Sequence, residues 1–315
     1  MSNNTLVKKK KKHGMWHGTT PGDKVFLCIV YGTILLICFA CIYPMYLTVI
    51  ASVSEPLDVY AGKVNLLPSG FNLEAYEAVF ENEKIWMGYG NSLFYTVVGT
   101  LFNLLLTIPS AYALSKKRMY GRSFQTTVFL ITMYFGGGLI PTYILFKNLG
   151  LINTRWILVI NGGLSVYNVV VTRTYFQNNI PDTLFEAARI DGAGEFLVFF
   201  KLVLPLSAPI IAVMTLYYAV GHWGSYFSAM IYTFRTELKP LQLVLRDILL
   251  KGETMLQDAM QSGDAYLIKQ AQEAAQRALT MKYSVVFIAS APMLIAYPFV
   301  QKHFVKGVMV GSLKG

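Results

Sequence analysis

The sequence predicts an all-α, polytopic membrane protein with six transmembrane helices and both termini in the cytoplasm. Three observations carry that prediction. Of 315 residues, 54% are hydrophobic and only 14% charged, with a mean hydropathy of +0.46, which leaves too little polar surface to cover a soluble globule. Six apolar stretches come near the roughly 20 residues a helix needs to cross hydrocarbon. The cations between them recur on alternate loops.

The six stretches are about 25–51, 89–114, 123–146, 156–176, 206–232 and 283–304. Helices are expected because an open strand leaves its backbone groups unpaired in lipid, and the ten-residue alternation of a membrane barrel is absent. Lys8 to Lys12 precede the first span, Lys116, Lys117, Arg118 and Arg122 lie between the second and third, and Lys302, His303, Lys306 and Lys314 follow the last. In a six-span chain these fall on one side. The loop after the first span instead carries Glu55, Asp58, Glu74, Glu77, Glu81 and Glu83 against Lys63 and Lys84. The basic segment 1–24 and the tail 305–315 are therefore assigned to the cytoplasm, and the chain to the plasma or inner membrane as a multi-pass protein.

The first span has too long an apolar run for a signal peptide and no convincing cleavage site follows it, so an uncleaved anchor is expected. Cys28, Cys38 and Cys41 all fall inside it, an odd number with no His nearby in sequence, and read as packed small residues. The net charge of +10 and the lysine run suit topology and anionic headgroups, at about 1 kcal/mol per Lys, rather than nucleic acid.

Catalytic patterns are missing: there is no Gly-Lys-Ser/Thr phosphate loop and no His-Glu-x-x-His, and His13, His17, His222 and His303 are scattered. No enzyme activity, metal or bound cofactor is expected. Energy for active transport must then come from another subunit or from an ion gradient. The second option, an ion-coupled secondary transporter, would call for intramembrane carboxylates, and the spans hold almost none.

The loop 177–205 joins spans four and five. Thr183-Leu184-Phe185-Glu186 has the form of a capping box, Ala187 and Ala188 favour helix, and Gly192 and Gly194 can end it or turn the chain. The apolar run 196–203 makes a second short helix, after which Pro205 can open span five. Two short angled helices are expected on the cytoplasmic side.

The spacing Glu186-Ala187-Ala188, three residues including Asp191, then Gly192, and after nine residues an aliphatic, one residue, Leu204-Pro205, resembles the EAA loop of binding-protein-dependent ABC importers. The chain is similar to the inner-membrane permease subunits of carbohydrate importers, of the maltose G-subunit type, and especially to those for complex polysaccharides or polygalacturonides. The finer likeness rests on 135–143, 149–154, 226–232 and 240–246. The resemblance implies that Glu186 meets basic residues in the groove of an ATPase, that Gly192 permits the bend, and that the loop transmits ATP-driven closure to the spans. It also implies a second, homologous permease in a heterodimer, two ATPase copies using ATP and Mg, and an extracytoplasmic solute-binding protein that delivers an oligo- or polysaccharide fragment. The tail 305–315 resembles one that reaches toward the ATPases.

Polar groups within the spans are candidates for the pathway, because they are costly against lipid. Asn161 and Asn168, seven apart, are expected to share a face of span four, and Tyr217, Tyr218, His222, Trp223 and Tyr226 form an aromatic, hydrogen-bonding band on span five. Belts and helix-gluing contacts use the same residue types. Gly136-Gly137-Gly138 with Pro141 can break span three, although close approach of neighbouring helices is the simpler expectation. The outward loop 233–281 contains an apolar 241–250 and a helical 265–280 with Glu273 and Arg277 spaced to pair; it reads equally as a cap on the bundle and as a contact for the binding protein.

Overall fold

The computed structural model describes residues 20–312, with side chains omitted for Gly252, Ala296 and 299–312. The Lys8–Lys12 run, His13, His17 and residues 313–315 lie outside the described residues, as do the side chains of His303 and of the rest of the tail. Every regular element among those described is helical. In chain order these are α1 (Pro21–Ser52), α2 (Pro56–Tyr60), α3 (Glu74–Glu81), α4 (Glu83–Ser115), α5 (Arg122–Tyr134), α6 (Leu139–Asn148), α7 (Arg155–Ile160), α8 (Val166–Asn179) and α9 (Asp182–Ile190). There follow α10 (Glu195–Val198), a π turn (Phe199–Val203), α11 (Leu204–Leu206), α12 (Ala208–Trp223), α13 (Phe227–Tyr232), a 3₁₀ turn (Thr236–Leu238), α14 (Leu241–Ser262) and α15 (Ala265–Ser312).

Three continuous helices are long and apolar enough to cross a membrane, within α1, α4 and α15; counting two bent pairs as one span each makes five. The pairs are α5 with α6, bent by 112°, and Glu195–Leu206 with α12, bent by 79°. The expected third, fourth and fifth spans are therefore not continuous. Residues 123–146 break at Phe135–Gly138, 156–176 at Asn161–Ser165, and 206–232 at Gly224–Tyr226. The helix of the sixth begins at Ala265 rather than near 283.

The break in the third span has a local cause. Gly138 takes φ +84°, a left-handed value at which a side chain is strained. No neighbour lies within 4 Å of where a Cβ would stand on Gly136 or Gly138. The expectation that these glycines let helices approach closely is thus overturned; they turn the chain.

The bundle is organised around α4. Its Gly88, Ser92, Thr96, Gly99, Asn103, Thr107 and Ala111 recur every three or four residues and present one small, weakly polar face. A membrane bundle gains nothing from burying apolar area against lipid tails, so helices associate where small residues let backbones approach and hydrogen-bond. A Cβ on Gly88 would lie 3.1 Å from Leu241 Cα, and one on Gly99 would lie 2.5 Å from the His222 ring. Asn91 donates to the carbonyls of Glu237 (2.8 Å) and Lys239 (3.1 Å), and Tyr95 to that of Leu238 (2.8 Å), pinning the chain before α14 onto α4.

α14 and α15 turn back on each other at Gly263 (φ +69°), and their apolar faces pack on Val79 and Ile85. Glu273 and Arg277 do not pair among the described residues. α1 starts with a capping box, Thr20 Oγ1 accepting from Asp23 N (3.3 Å) and Asp23 Oδ2 from Thr20 N (2.9 Å). Only Ile50, Ala51 and Ser52 of α1 are buried, against α15, and the rest of its apolar surface faces outward.

Candidate functional site: a docking loop and a polar cavity

The loop 177–205 folds as two helices in a sharp turn. Pro181 (φ −62°) starts α9, because its fixed φ suits a helix entrance. The expected capping box does not form: Thr183 lies inside α9 and no side chain caps it. The C-terminus closes with a Schellman motif, in which Gly192 N–H donates to Arg189 O (3.0 Å) and Ala193 N–H to Ala188 O (2.9 Å), with Gly192 at φ +74°. Asp191 is the residue at the helix end, and exposed.

Beyond the turn, α10 runs into the π turn and α11. Pro205 has no N–H to give the Lys201 carbonyl, so the ladder ahead of it loses one normal bond, and Leu204 N–H reaches back five residues to Phe199 O. Pro205 thus ends the loop's second helix instead of opening the next span, which starts at Ala208-Pro209 after the 79° bend.

The loop's inner face is anchored. Phe185, Ala188, Phe199 and Leu204 pack on a core containing Ala111, Leu114, Phe176 and Val203. Tyr112 Oη donates to Glu195 Oε2 (3.0 Å), Arg189 pairs with Glu195 (3.5 Å) and Lys117 with Asp182 (3.3 Å). Lys116 Nζ lies 3.1 Å from the centre of the Phe185 ring and 4.6 Å from that of Tyr112. Burial against these rings pushes the Lys116 pKa below the usual lysine value. Spacing did not bring Tyr112 and Lys116, at the end of α4, together with Glu195 of α10, since Tyr112 and Glu195 lie 83 residues apart in sequence.

The outer face is open. Ala187 is exposed there, and Glu186, exposed in the cleft that α9 forms with Lys116, Lys117 and Arg118, has no ion-pair partner among the described residues. Ile190 is 87% and Phe196 84% exposed, with Leu197 and Phe200 beside them. Apolar side chains on the two short helices beside an unpaired carboxylate make a surface suited to a protein partner.

A second feature lies within the bundle: a cavity of about 270 Å³ lined by Asn103, Leu158, Asn161, Tyr217, Tyr218, His222, Ser225 and Ser228. Asn161 and Ser228 also line an adjoining cleft of about 360 Å³ that reaches the Gly136–Gly138 break. Four expected residues therefore meet here. His222 Nε2 lies 2.6 Å from Asn103 Oδ1, Asn161 Nδ2 donates to Ser228 Oγ (3.1 Å), and Tyr218 Oη shares a hydrogen bond with Thr107 Oγ1 (2.6 Å). Tyr217 is exposed on its wall.

The other three go elsewhere. Asn161 ends α7 and Asn168 sits in the first turn of α8, so the shared face expected of one continuous helix does not exist, and Asn168 is buried away from the cavity. Trp223 donates to Ala289 O (3.0 Å) and meets Tyr89 edge to face, which fixes α12 to α15. Tyr226 packs beside Arg246 with its hydroxyl on Met230 Sδ (3.5 Å). Asn103, Ser225 and Ser228 were missed; a lone Asn in an apolar run was the one available signal.

This combination, a helical membrane bundle with broken spans, a polar cavity and an exposed two-helix loop, is that of a membrane transport subunit. Residues 85–238 match the family described as the binding-protein-dependent transport system inner membrane component. The chain is 36% identical to the polygalacturonan/rhamnogalacturonan transport system permease protein YtcP of Bacillus subtilis over 93% of this chain and 99% of that protein. It is 37% identical to protein LplC of the same organism, over 87% and 90% of the two chains. A solved bacterial ABC transporter involved in the import of the acidic polysaccharide alginate has a chain that superposes with a TM-score of 0.79 at 29% identity, covering 91% of this chain and 99% of that one. The protein belongs to this family: it is an inner-membrane permease subunit of an ABC importer, a transport subunit and not an enzyme.

Proposed function

We propose that this permease carries an oligo- or polysaccharide fragment across the membrane by alternating access, driven by an ATPase that docks on α9 and α10. The observation that carries the reading is the loop itself: anchored to α4 on one face, it presents Ile190 and Phe196 to the outside on the other, with Glu186 exposed in the cleft between α9 and the end of α4. Glu186, Ala187, Ala188, Asp191 and Gly192 form the dock, and Leu204 and Pro205 the link to the next span. The carbohydrate assignment is supported by the relatives' substrates and by a cavity whose amides, hydroxyls and tyrosine faces match sugar hydroxyls and C–H faces.

Six spans with cytoplasmic termini follow if α5 with α6, α7 with α8, and α12 with α13 each cross once beside α1, α4 and α15. The permease domain is then 25–304, with α14 and the start of α15 outside, where a solute-binding protein arrives. One docking loop per chain calls for a second permease, in a heterodimer, and two ATPase copies that bind ATP and Mg. Lipid surrounds α1, and no nucleic acid takes part.

The test is co-expression with the partner subunits and reconstitution. ATPase should copurify and sugar uptake should require ATP. Uptake by this chain without an ATPase, driven by an ion gradient, would establish the ion-coupled alternative instead.

A further inference from the structure

The loop cations Lys117 and Arg118 are exposed and need no partner but water; Arg173 is placed differently. It stands on α8 between Val169 and Phe176, two residues of the buried core, and is itself half-buried. Its Nε is buried and meets no hydrogen-bond partner among the described residues. α5 packs on α8 with the face that carries Arg122, Thr126 and Phe129, and Phe129 reaches the same core. Thr126 Oγ1 is likewise buried without a partner among the described residues.

The end of α4 brings a second guanidinium to this seam. Arg122 Nε donates to Leu114 O (3.0 Å), and Gln177, one turn beyond Arg173 on α8, donates through Nε2 to the next carbonyl, Ser115 O (3.3 Å). The charges of Arg122 and Arg173 repel each other across the seam, and neither has a carboxylate partner among the described residues. Two half-buried guanidiniums side by side are costly unless an anion joins them.

We propose that the α5–α8 seam binds the phosphate of an anionic phospholipid in the cytoplasmic leaflet, held between Arg122 and Arg173 with Thr126 beside it. The proposal goes beyond the transport reading and takes from it only the placement of this end of the bundle at the cytoplasmic surface. The two free oxygens of a phosphodiester accept from guanidinium forks, and basic pockets between spans on that side suit anionic headgroups. Inorganic phosphate offers the same oxygens. A lipid fits better, because Tyr120 ahead of α5 and Phe124, Val128 and Ile131 down one face of it are exposed, a surface that acyl chains cover and a free ion does not. A zwitterionic lipid would bring its ammonium group toward two like charges.

The test uses the purified importer complex in detergent, with native mass spectrometry counting the phosphatidylglycerol and phosphatidylcholine of matched chains that it retains. Wild type should hold a phosphatidylglycerol that resists exchange, preferred over phosphatidylcholine by about tenfold, and the preference should shrink with salt. Arg122→Gln and Arg173→Gln should each weaken that retention about tenfold, and Arg173→Lys should recover part of the loss. Lys117→Gln, which alters an exposed cation paired with Asp182, should leave it unchanged. An equal loss in Lys117→Gln, equal retention of the two lipids, or displacement by inorganic phosphate at the lipid's own concentration overturns the site. Gln variants that keep the lipid and lose the second permease also overturn it, by assigning the arginines to a carboxylate of that partner. Should a Gln variant fail to assemble, the wild-type preference still decides. Lipid retention is read without transport, so absence of a copurifying ATPase would count against the transport reading alone.

Discussion

Asn103 gives its amide hydrogens to the carbonyls of Gly162 (3.0 Å) and Gly163 (2.8 Å), which leaves its Oδ1 facing His222 Nε2 at 2.6 Å. An amide oxygen only accepts, so this contact requires Nε2 to carry hydrogen. One buried side chain thereby ties the break between α7 and α8 to α4 and sets the tautomer of a cavity histidine. Asn103→Leu should strand two carbonyls and one ring donor and cost on the order of 2–5 kcal/mol. Thermal unfolding of the detergent-solubilised importer checks this; an unchanged midpoint would mean the clamp is replaceable.

His222→Ala removes the ring and keeps the Asn103 link to Gly162 and Gly163. It should reduce uptake by about tenfold or more while assembly and basal ATP hydrolysis stay near normal. Tyr218→Phe should be milder for transport and cost about 1 kcal/mol of stability through its lost bond to Thr107. Parallel loss of assembly, hydrolysis and uptake in His222→Ala would make the band a packing core.

Gly99→Ala places a methyl 2.5 Å from the His222 ring, closer than real contacts allow, so the imidazole must leave its site. Insertion should survive and uptake should fall as in His222→Ala. A double variant Gly99→Ala with His222→Ala should add little to either single change, and full additivity would separate the two positions.

On the docking loop, Glu186→Ala and Ile190→Asp should leave membrane insertion intact and cut ATPase copurification and uptake. Gly192→Asp forces a side chain to φ +74° and should cost about 1–2 kcal/mol locally with the same loss of coupling. Normal copurification in Ile190→Asp would discard the exposed apolar face as a dock.

Asp58 accepts hydrogen bonds from Ser69 and from Lys63 (3.2 Å), which hold its carboxyl below the usual aspartate range. A carboxyl depressed in the folded state adds stability above its unfolded pKa and loses it as pH falls through the folded value. Protection factors for amide hydrogen exchange across 53–72, taken relative to the intrinsic rate at each pH, should therefore fall below about pH 4. Asp58→Asn should remove that acid-dependent change; an identical profile in the variant would assign it elsewhere.

Much of this protein was legible in one dimension. Hydrocarbon imposes a length and a composition on any crossing segment, so α1, α4 and the apolar part of α15 stand out as runs, and the α9–Gly192–α10 turn follows from residues adjacent in sequence, because a left-handed C-terminal glycine is a local requirement. The tertiary structure alone decided where helices stop inside apolar runs. A broken span is tolerated only if something distant satisfies the freed backbone, as Asn103 does for Gly162 and Gly163 across 60 residues. The same dependence explains the division of the aromatic band. Tyr217, Tyr218 and His222 reach the cavity, while Trp223 turns to Ala289 and Tyr226 lies beyond the break at Gly224. Periodicity gives the faces of a helix but not what stands opposite them, and that is set by which helices the small face of α4 admits.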